Sequence, residues 1–264
     1  MSPITSAQQI REAFLDLLDQ QLDEQRYQSF IEQNTRLIPR EFIQNHGIHF
    51  DLALRKLRIS QDYITDFFYL SKSSADWNCV LIELEKPHSK YFKDHTNDFH
   101  SDFLAAMQQI SRWRAWFSEP TNHSSFTEET IGAIRGPLHE NPSYIKYVLV
   151  FGRRSEFKNN AQRRRLIQSQ ERDDFKILSF DSLVEALESK NDLYLGVRKN
   201  EHYEIHSHIY VGEMLFSWLL PEQIRINSEL RRDIENHRSE WITTTTDNMH
   251  HLLLDDLLPK ISDF

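Results

Sequence analysis

Cysteine and long apolar runs are both scarce in this chain. Cys79 is the one cysteine among 264 residues, so an intrachain disulfide is excluded and a reducing compartment fits. The longest apolar runs, such as Val80-Leu81-Ile82, are far shorter than the roughly 20 residues of a membrane-spanning helix. The sequence does not open with a basic segment followed by an apolar stretch, so no signal peptide is expected. These absences predict a cytoplasmic protein without a membrane partner.

Positive charge is also in deficit, with 31 Lys and Arg residues, 40 Asp and Glu residues and a formal net charge of −9. Such a balance argues against a surface that wraps nucleic acid without specificity. Basic residues are nevertheless concentrated at Arg153-Arg154 and at Arg163-Arg164-Arg165. The simpler interpretation of this basic island is a solvated helix face, and the alternative is a surface that binds phosphates.

Several familiar catalytic motifs are missing as well. The chain has no glycine-rich phosphate loop and no recognisable Ser, Cys or Lys nucleophile motif. His88, His95 and His100 have a spacing that fits no zinc-binding helix, so zinc is not expected. What remains is a globular composition, with a hydrophobic fraction of 39% and 17 Phe residues.

Hydrophobic periodicity predicts helices that alternate with strands. A first helix begins after Ser6, where Gln9 completes a capping box, and a second helix spans about 23–37 and ends before Pro39. Segment 118–142 is predicted to be a loop because Gly and Pro interrupt it. Further helices are predicted at 97–117, in the Arg-rich segment around 163, and at 181–187, where Asp181 is the expected cap. Strands are predicted at 50–59, 64–70, 79–85, 147–151 and 175–180.

This order of elements predicts an α/β fold with a mixed sheet flanked by helices. Three consecutive strands can pair as antiparallel neighbours, whereas strands joined by helices pair in parallel through right-handed crossovers. We expect a helix at 1–24, the sheet domain at 25–190 and an appendage at 191–264. The appendage is predicted to hold one or two edge strands and then to be mostly helical, around 211–220 and 223–241.

Three carboxylates stand out in the predicted hairpin around the loop 71–78. Asp66 and Glu83 are equally distant from the centre of that loop, so a symmetric hairpin would place their Cβ atoms about 5 Å apart. Glu85 shares a strand face with Glu83 because side chains alternate along a strand. These residues are ordinary exposed acids if the hairpin is half-solvated, but the flanking run Val80 to Leu84 is apolar enough for a central strand.

Crowded carboxylates need a cation or a raised pKa, because like charges so close together cannot all ionise. A hard divalent ion with oxygen ligands meets this need, and Mg²⁺ or Mn²⁺ is the expected cofactor. Such an ion activates water and neutralises charge on a phosphate, so the pattern favours hydrolysis of a phosphodiester over acyl transfer.

Segments around these acids resemble the Shedu anti-phage defence proteins, whose shared domain is a PD-(D/E)XK nuclease fold. The resemblance covers roughly 25–190 and implies a restriction-endonuclease-like sheet. It is carried by the order and spacing of six segments, each of which is weak alone. They are Phe30-Ile31-Glu32-Gln33-Asn34, Asp62-Tyr63-Ile64-Thr65-Asp66-Phe67, Ile82-Glu83-Leu84-Glu85-Lys86-Pro87, Ala106-Met107-Gln108-Gln109-Ile110 with Trp113, Val148-Leu149-Val150-Phe151-Gly152-Arg153, and Phe175-Lys176-Ile177-Leu178-Ser179-Phe180-Asp181 with Leu183.

The resemblance implies roles for individual residues. Asp66 and Glu83 would bind the metal, Glu32 would add a ligand through water, and Gln109 would orient a water or a phosphate. The sequence departs from the superfamily pattern where an active-site lysine is expected, because that position is Glu85. Either Glu85 acts in place of the lysine, or Lys86 turns back into the site where Pro87 ends the strand.

The predicted activity is that of a Mg²⁺-dependent endodeoxyribonuclease in anti-phage defence, with the basic island holding the DNA backbone. The alternative is a nuclease fold with degraded chemistry that acts as a nucleic-acid sensor or an assembly subunit. A third option is a nuclease fold that serves RNA or transposon chemistry. A homo-oligomer is expected, because the appendage offers the apolar residues Met214, Leu215, Phe216, Trp218 and Leu219 for self-association or for capping a sheet edge.

Overall fold

The computed structural model describes residues 6–206, 215, 219–236 and 258–264. The helices are α1 (Ala7–Leu18), α2 (Glu24–Gln33), α3 (Ser101–Phe117), α4 (Pro120–Ser125), α5 (Ala161–Gln168) and α6 (Ser228–Asn236). The strands are β1 (Ile48–Arg58), β2 (Ile64–Lys72), β3 (Trp77–Leu84), β4 (Ser143–Val150), β5 (Phe175–Leu178), β6 (Tyr194–Lys199), β7 (His202–His206), β8 (Ile224–Ile226) and β9 (Ser262–Asp263). Short 3₁₀ turns lie at Thr35–Leu37, Gly132–Leu138, Arg154–Glu156, Phe180–Val184, Leu187–Ser189, Pro221–Gln223 and Leu258–Lys260.

Within the described residues, nine strands are hydrogen-bonded in the order β5-β4-β3-β2-β1-β6-β7-β8-β9. The sheet is mixed: β1 runs antiparallel to β2 and parallel to β6, and β4 runs parallel to β5. All eight residues of β3 are buried, as the apolar run 80–84 predicted for a central strand. The predicted α/β class, with a mixed sheet flanked by helices, is therefore confirmed.

The chain divides into two compact units, each discontinuous in sequence. The first unit comprises residues up to 42, 80–122 and 145–191. Its core holds an aromatic cluster in which the Tyr91 ring meets Phe103 and Phe151 at centroid distances of 5.2 and 4.8 Å. Burial of this cluster contributes much of the unit's hydrophobic stabilisation.

The second unit comprises residues 43–79, 123–144 and 192–264. Its strands β1 and β6 approach so closely that a Cβ on Gly196 would lie 2.8 Å from the Leu54 side chain, so any larger residue would displace Leu54. In the same unit the Phe68 and Phe126 rings pack edge to face at 5.8 Å. Non-local apolar contacts of this kind hold the segment 123–144 against its own unit.

The two helix starts illustrate how local signals set boundaries. Ser6 caps α1, and its capping box with Gln9 is present as predicted. The helix predicted at 97–117 begins later, at Ser101, because His100 caps it and Phe99 is held extended in a bridge to Phe92.

Segment 118–142 was wrongly predicted to be a loop, since it contains α4, a π-helical turn at Phe126–Thr130 and a 3₁₀ turn. The guanidinium of Arg135 is buried and donates to the carbonyls of Thr127 and Asn141. Gly and Pro interrupt regular helices in this segment, so some carbonyls lack a helical partner. The Arg135 guanidinium supplies donors to them, and the segment forms compact turns.

The helix predicted at 181–187 is also wrong. Phe180–Val184 forms a 3₁₀ turn instead, and Ala186 adopts a left-handed φ of 54° that stops any continuation. The Asp181 carboxylate accepts from the backbone N–H of Arg154 rather than capping a helix. A distant donor therefore overrides the local capping pattern.

Of the predicted appendage 191–264, the structure describes residues 191–206, 215, 219–236 and 258–264, so its mostly helical character stays a prediction. These residues contribute four strands, β6 to β9, and the helix α6, and Leu215 is helical within the predicted helix 211–220. The helix predicted at 223–241 begins later, at Ser228, because Ile224–Ile226 forms β8. Leu215 and Leu219 are buried, whereas Met214, Phe216 and Trp218 lie outside the described residues. Self-association through this segment stays a prediction. No helix within 6–206, 219–236 or 258–264 is long and apolar enough to cross a bilayer.

Candidate active site

Glu83 is the predicted metal ligand on β3, and its carboxylate is almost entirely withdrawn from water, at 9% exposure. The side-chain amide of Gln109 on α3 donates to Oε1 of Glu83 at 2.5 Å. Helix α3 buries Phe103, Ala106 and Ile110 along one face, which fixes the rotation of the helix and so directs Gln109. The structure thus brings together two of the predicted site residues within one unit.

Asp66 is the predicted metal ligand on β2, and it is 4% exposed. The ammonium group of Lys56 on β1 contacts Oδ1 of Asp66. A buried carboxylate is costly unless a cation or hydrogen-bond donors compensate it, and Lys56 supplies both. This lysine was not predicted from the sequence. A usable signal existed, because residues 56 and 66 are equally distant from the turn at residue 61.

Glu85 and Lys86 follow the end of β3 rather than belonging to it. The Glu85 backbone N–H donates to the carbonyl of Val150 at 2.9 Å, which ties this segment to β4. The Glu85 side chain is half-buried, Lys86 is exposed and Pro87 is buried. Strand alternation therefore ends at Leu84, and it does not dictate which of the two side chains turns inward.

Glu32 lies on α2 and accepts a hydrogen bond at 3.0 Å from Nε2 of Gln28, a residue that is itself buried. The neighbouring turn residue Asn34 leaves the helical region, with φ of −131°, and ends α2. Glu32 is thus held near the C-terminus of its helix, in the same unit as Glu83 and Gln109.

The donor set suits a hard divalent cation. The predicted ligands are carboxylate oxygens, which Mg²⁺ prefers, and Glu83 and Asp66 are buried where an anion needs a positive partner. The ammonium of Lys56 already occupies a cation's place beside Asp66. Within the described residues, no three His, Cys, Asp or Glu side chains are grouped as a metal site. The fit therefore rests on the chemistry of each carboxylate.

The predicted basic island divides into two kinds of arginine. Arg153 pairs with Asp19 at 2.8 Å and with Asp181 at 3.1 Å, and Arg154 pairs with Glu185 at 2.5 Å. These two arginines therefore hold parts of their own unit together, which leaves them less available to a phosphate.

The three arginines at 163–165, on α5, also differ from one another in their contacts. Arg163 donates to the carbonyls of Glu156 and Thr96, and its guanidinium stacks over Phe92 at 4.6 Å. Arg164 and Arg165 are exposed, and no side-chain partner within the described residues engages them. The helix face carrying these two is the part of the island open to a ligand.

A cleft of about 410 Å³ lies next to this island, within the first unit. Gly152 makes room for its wall, since a Cβ there would lie 2.8 Å from both Ser89 O and the Tyr91 ring. Glu156 fastens the same wall by accepting from the backbone N–H groups of Tyr91 and Phe92. Burial raises the pKa of Glu156, although these two bonds oppose the shift. The charged or titratable residues of the lining are Asp19, His88, Lys90, Lys93, Asp94, His95, Arg153, Glu156 and Arg163.

Two titratable side chains in the second unit, His49 and Cys79, are buried and do not belong to the predicted site. Desolvation, followed by repulsion from Lys72, lowers the pKa of His49 to about 3, so this imidazole is neutral near pH 7. Burial raises the pKa of Cys79 to about 12, which makes its thiol a poor nucleophile. This environment agrees with the lack of a cysteine nucleophile motif in the sequence.

Comparison with known protein families shows which family the chain belongs to. The family model of the Shedu protein SduA, C-terminal, matches residues 21–184. The chain belongs to the Shedu family. No curated protein matches it.

The Shedu match includes every residue of the candidate site, from Glu32 to Arg165, and also Lys56. It ends before β6, so strands β6 to β9 and α6 lie beyond the matched region. Membership of this family suggests a role in anti-phage defence.

Proposed function

We propose that this Shedu protein is a metal-dependent endonuclease that hydrolyses DNA phosphodiester bonds in anti-phage defence. The observation that carries the proposal is the contact between Glu83 and Gln109. It joins a buried strand carboxylate to a helix amide in the two segments that resemble the family's nuclease core. A purely structural acid in a fully buried strand would be an expensive choice, because an apolar residue would serve there at no desolvation cost.

Asp66 and Glu83 would hold Mg²⁺ or Mn²⁺, and Glu32 would reach it through a water molecule. When bound, the ion supplies a water of lowered pKa and positive charge for the phosphate. Gln109 keeps Oε1 of Glu83 oriented through its amide hydrogen bond. Such a partner of a ligating carboxylate is expected to matter nearly as much as the ligand itself.

The reaction consumes one water for each bond cut. The water oxygen bonds to phosphorus as the bond from phosphorus to the leaving sugar oxygen breaks. The water loses one proton and the leaving oxygen gains one, so a diester becomes a monoester and an alcohol. Glu85 or Lys86 would assist the proton transfer or hold the phosphate, because both follow directly after the strand that carries Glu83.

The exposed pair Arg164 and Arg165 would bind DNA phosphates, with Arg153, Arg154 and Arg163 supporting the surface from within. A homo-oligomer would place two such sites on one duplex, and we keep self-association as part of the proposal.

A cleavage assay tests the proposal most directly. Purified protein is incubated with plasmid, linear and single-stranded DNA, with Mg²⁺ or Mn²⁺ and with a chelator. We expect cleavage that needs the metal and that Glu83→Gln abolishes while the fold and much of the DNA binding persist. Glu140→Gln is the matched control, because the Glu140 side chain is 89% exposed. Equal cleavage by Glu83→Gln and wild type would contradict the proposal.

The second candidate function is a nuclease fold that binds nucleic acid without cutting it, as a sensor or an assembly subunit. Glutamate at position 85, where the superfamily pattern has lysine, favours it. Protein that binds DNA but neither binds Mg²⁺ or Mn²⁺ nor cuts any nucleic acid, alone or with partners, would decide for this alternative.

A further inference from the structure

Lys56 lies directly across the antiparallel pair β1–β2 from Asp66. The register pairs Arg55 with Phe67 and Leu57 with Thr65, which leaves residue 56 opposite residue 66. The Lys56 ammonium contacts Oδ1 of the Asp66 carboxylate across this step. Cross-strand neighbours of opposite charge interact directly, so this contact is built into the sheet register.

The two partners differ sharply in exposure. The Asp66 side chain is 6% exposed, whereas the Lys56 side chain is 47% exposed. The ammonium group therefore covers a buried carboxylate from the solvent side. A substrate phosphate that approached Asp66 from solvent would meet this ammonium group.

The backbone at Lys56 is unusual for a strand. Its φ is 47°, in the left-handed region that residues other than glycine seldom adopt. Phe50 and Asp51 earlier in β1 share this feature, with φ of 59° and 49°. Strained residues of this kind cluster at functional sites, because they direct side chains where regular geometry would not.

We propose that Lys56 supplies the positive charge of the proposed nuclease site, the role for which position 85 offers only a glutamate. The inference rests on the proposed function and assigns one of its residues. The Lys56 side chain pairs with Asp66 across the strands, and during cleavage it would hold the phosphate oxygen that gains negative charge as the bond breaks. An ammonium group beside a metal-binding carboxylate also repels the metal, so it weakens metal binding while it promotes cleavage.

The test measures the cleavage rate and the metal affinity of the full chain. If Lys56 has this role, its replacement lowers the first and raises the second. For Lys56→Met we expect cleavage to fall about 100-fold. We expect the affinity for Mg²⁺ and for Ca²⁺, measured by titration calorimetry, to rise roughly tenfold. Lys56→Arg keeps the charge and should retain cleavage within about tenfold of wild type, with metal affinity unchanged.

Lys199→Met is the matched control, because Lys199 also pairs with a strand carboxylate, 3.5 Å from Oε2 of Glu204, and is 56% exposed. It should change neither readout. Lys56→Gln replaces the Met variant if that protein does not fold. If neither neutral variant folds, or if metal affinity and cleavage fall together, Lys56 is structural and the proposal is wrong.

Two different experimental outcomes separate the role of Lys56 from the proposed nuclease activity. Wild-type protein that cuts DNA while Lys56→Met cuts equally well would overturn the assignment of Lys56 alone. Wild-type protein that neither binds the metal nor cuts DNA would overturn both.

Discussion

Gln109 and Glu83 are 26 positions apart in sequence, and the amide of the first donates to Oε1 of the second. The bond joins the middle of α3 to the end of β3 inside one compact unit. It gives the buried carboxylate a neutral partner that orients it without removing its charge. That arrangement suits a carboxylate that binds a metal ion. Gln109 is therefore the first residue to test.

Gln109→Leu removes the amide that orients Glu83 and keeps a side chain of similar size. We expect metal affinity and cleavage to fall by about 10- to 100-fold, because partners of ligating groups contribute on this scale. Titration calorimetry and cleavage assays measure these two losses, and thermal unfolding checks that the fold is kept. Gln108→Leu is the control, since Gln108 is exposed on the same helix. Equal losses in both variants would mean that α3, rather than the hydrogen bond, is responsible.

Glu85→Gln and Lys86→Met together assign the role of the segment after β3. If Glu85 acts as a ligand or a base, Glu85→Gln should be severe, at about 100-fold or more in cleavage rate, and Lys86→Met should be mild. If Lys86 acts, the order reverses. Our proposal for Lys56 favours the first outcome, because the positive charge then comes from β1. Two mild variants would place the chemistry elsewhere.

Arg164→Ala with Arg165→Ala should weaken DNA binding and flatten its salt dependence by a slope of roughly 2, about one for each phosphate that these arginines would neutralise. Both side chains are exposed, so we expect no loss of thermal stability. Binding titrations at several salt concentrations measure the slope.

Arg163→Ala is the contrasting variant for that measurement. It removes hydrogen bonds to the Glu156 and Thr96 carbonyls, so it should lower thermal stability by about 1–3 kcal/mol. An unchanged slope in the Arg164 and Arg165 variant would return the basic island to the role of a solvated helix face.

His49 should make the protein acid-sensitive. Its folded-state pKa of about 3 lies below the ordinary value of 6.5, so the unfolded chain takes up a proton that the folded chain does not. This contribution is present in full above pH 6.5 and is lost as pH falls toward 3, at about 1.4 kcal/mol per pH unit.

His49→Leu removes that titrating group, so the free energy of unfolding should fall less between pH 7 and pH 4.5 than in wild type. Denaturant titrations at both values measure the difference. His46→Leu, at an exposed neighbouring position, should keep the wild-type dependence. Parallel pH curves for wild type and His49→Leu would show that folding does not lower the pKa of His49, and would contradict the prediction.

Short-range signals in the sequence correctly predicted helix α1 and the strands β1 to β5. The capping box of Ser6, the β-branched and aromatic run of β2 and the apolar run of β3 each act over a few residues, so the sequence displays them directly. Segments 118–142 and 181–187 were wrong for the opposite reason. A buried Arg135 and a carboxylate engaged by Arg154 N–H decide those backbones, and neither interaction is a periodic signal.

For the candidate site too, the sequence indicated some features and the tertiary structure decided others. The symmetry of the predicted hairpin singled out Asp66 and Glu83, and the apolar run 80–84 favoured a central strand around Glu83; both acids are buried. Only the tertiary structure decided what faces them: the rotation of α3 directs Gln109 to Glu83, and the β1–β2 register sets Lys56 against Asp66. The sequence shows which side chains are costly to bury. Which residues they contact depends on strand register and helix rotation, and packing of the whole chain determines both.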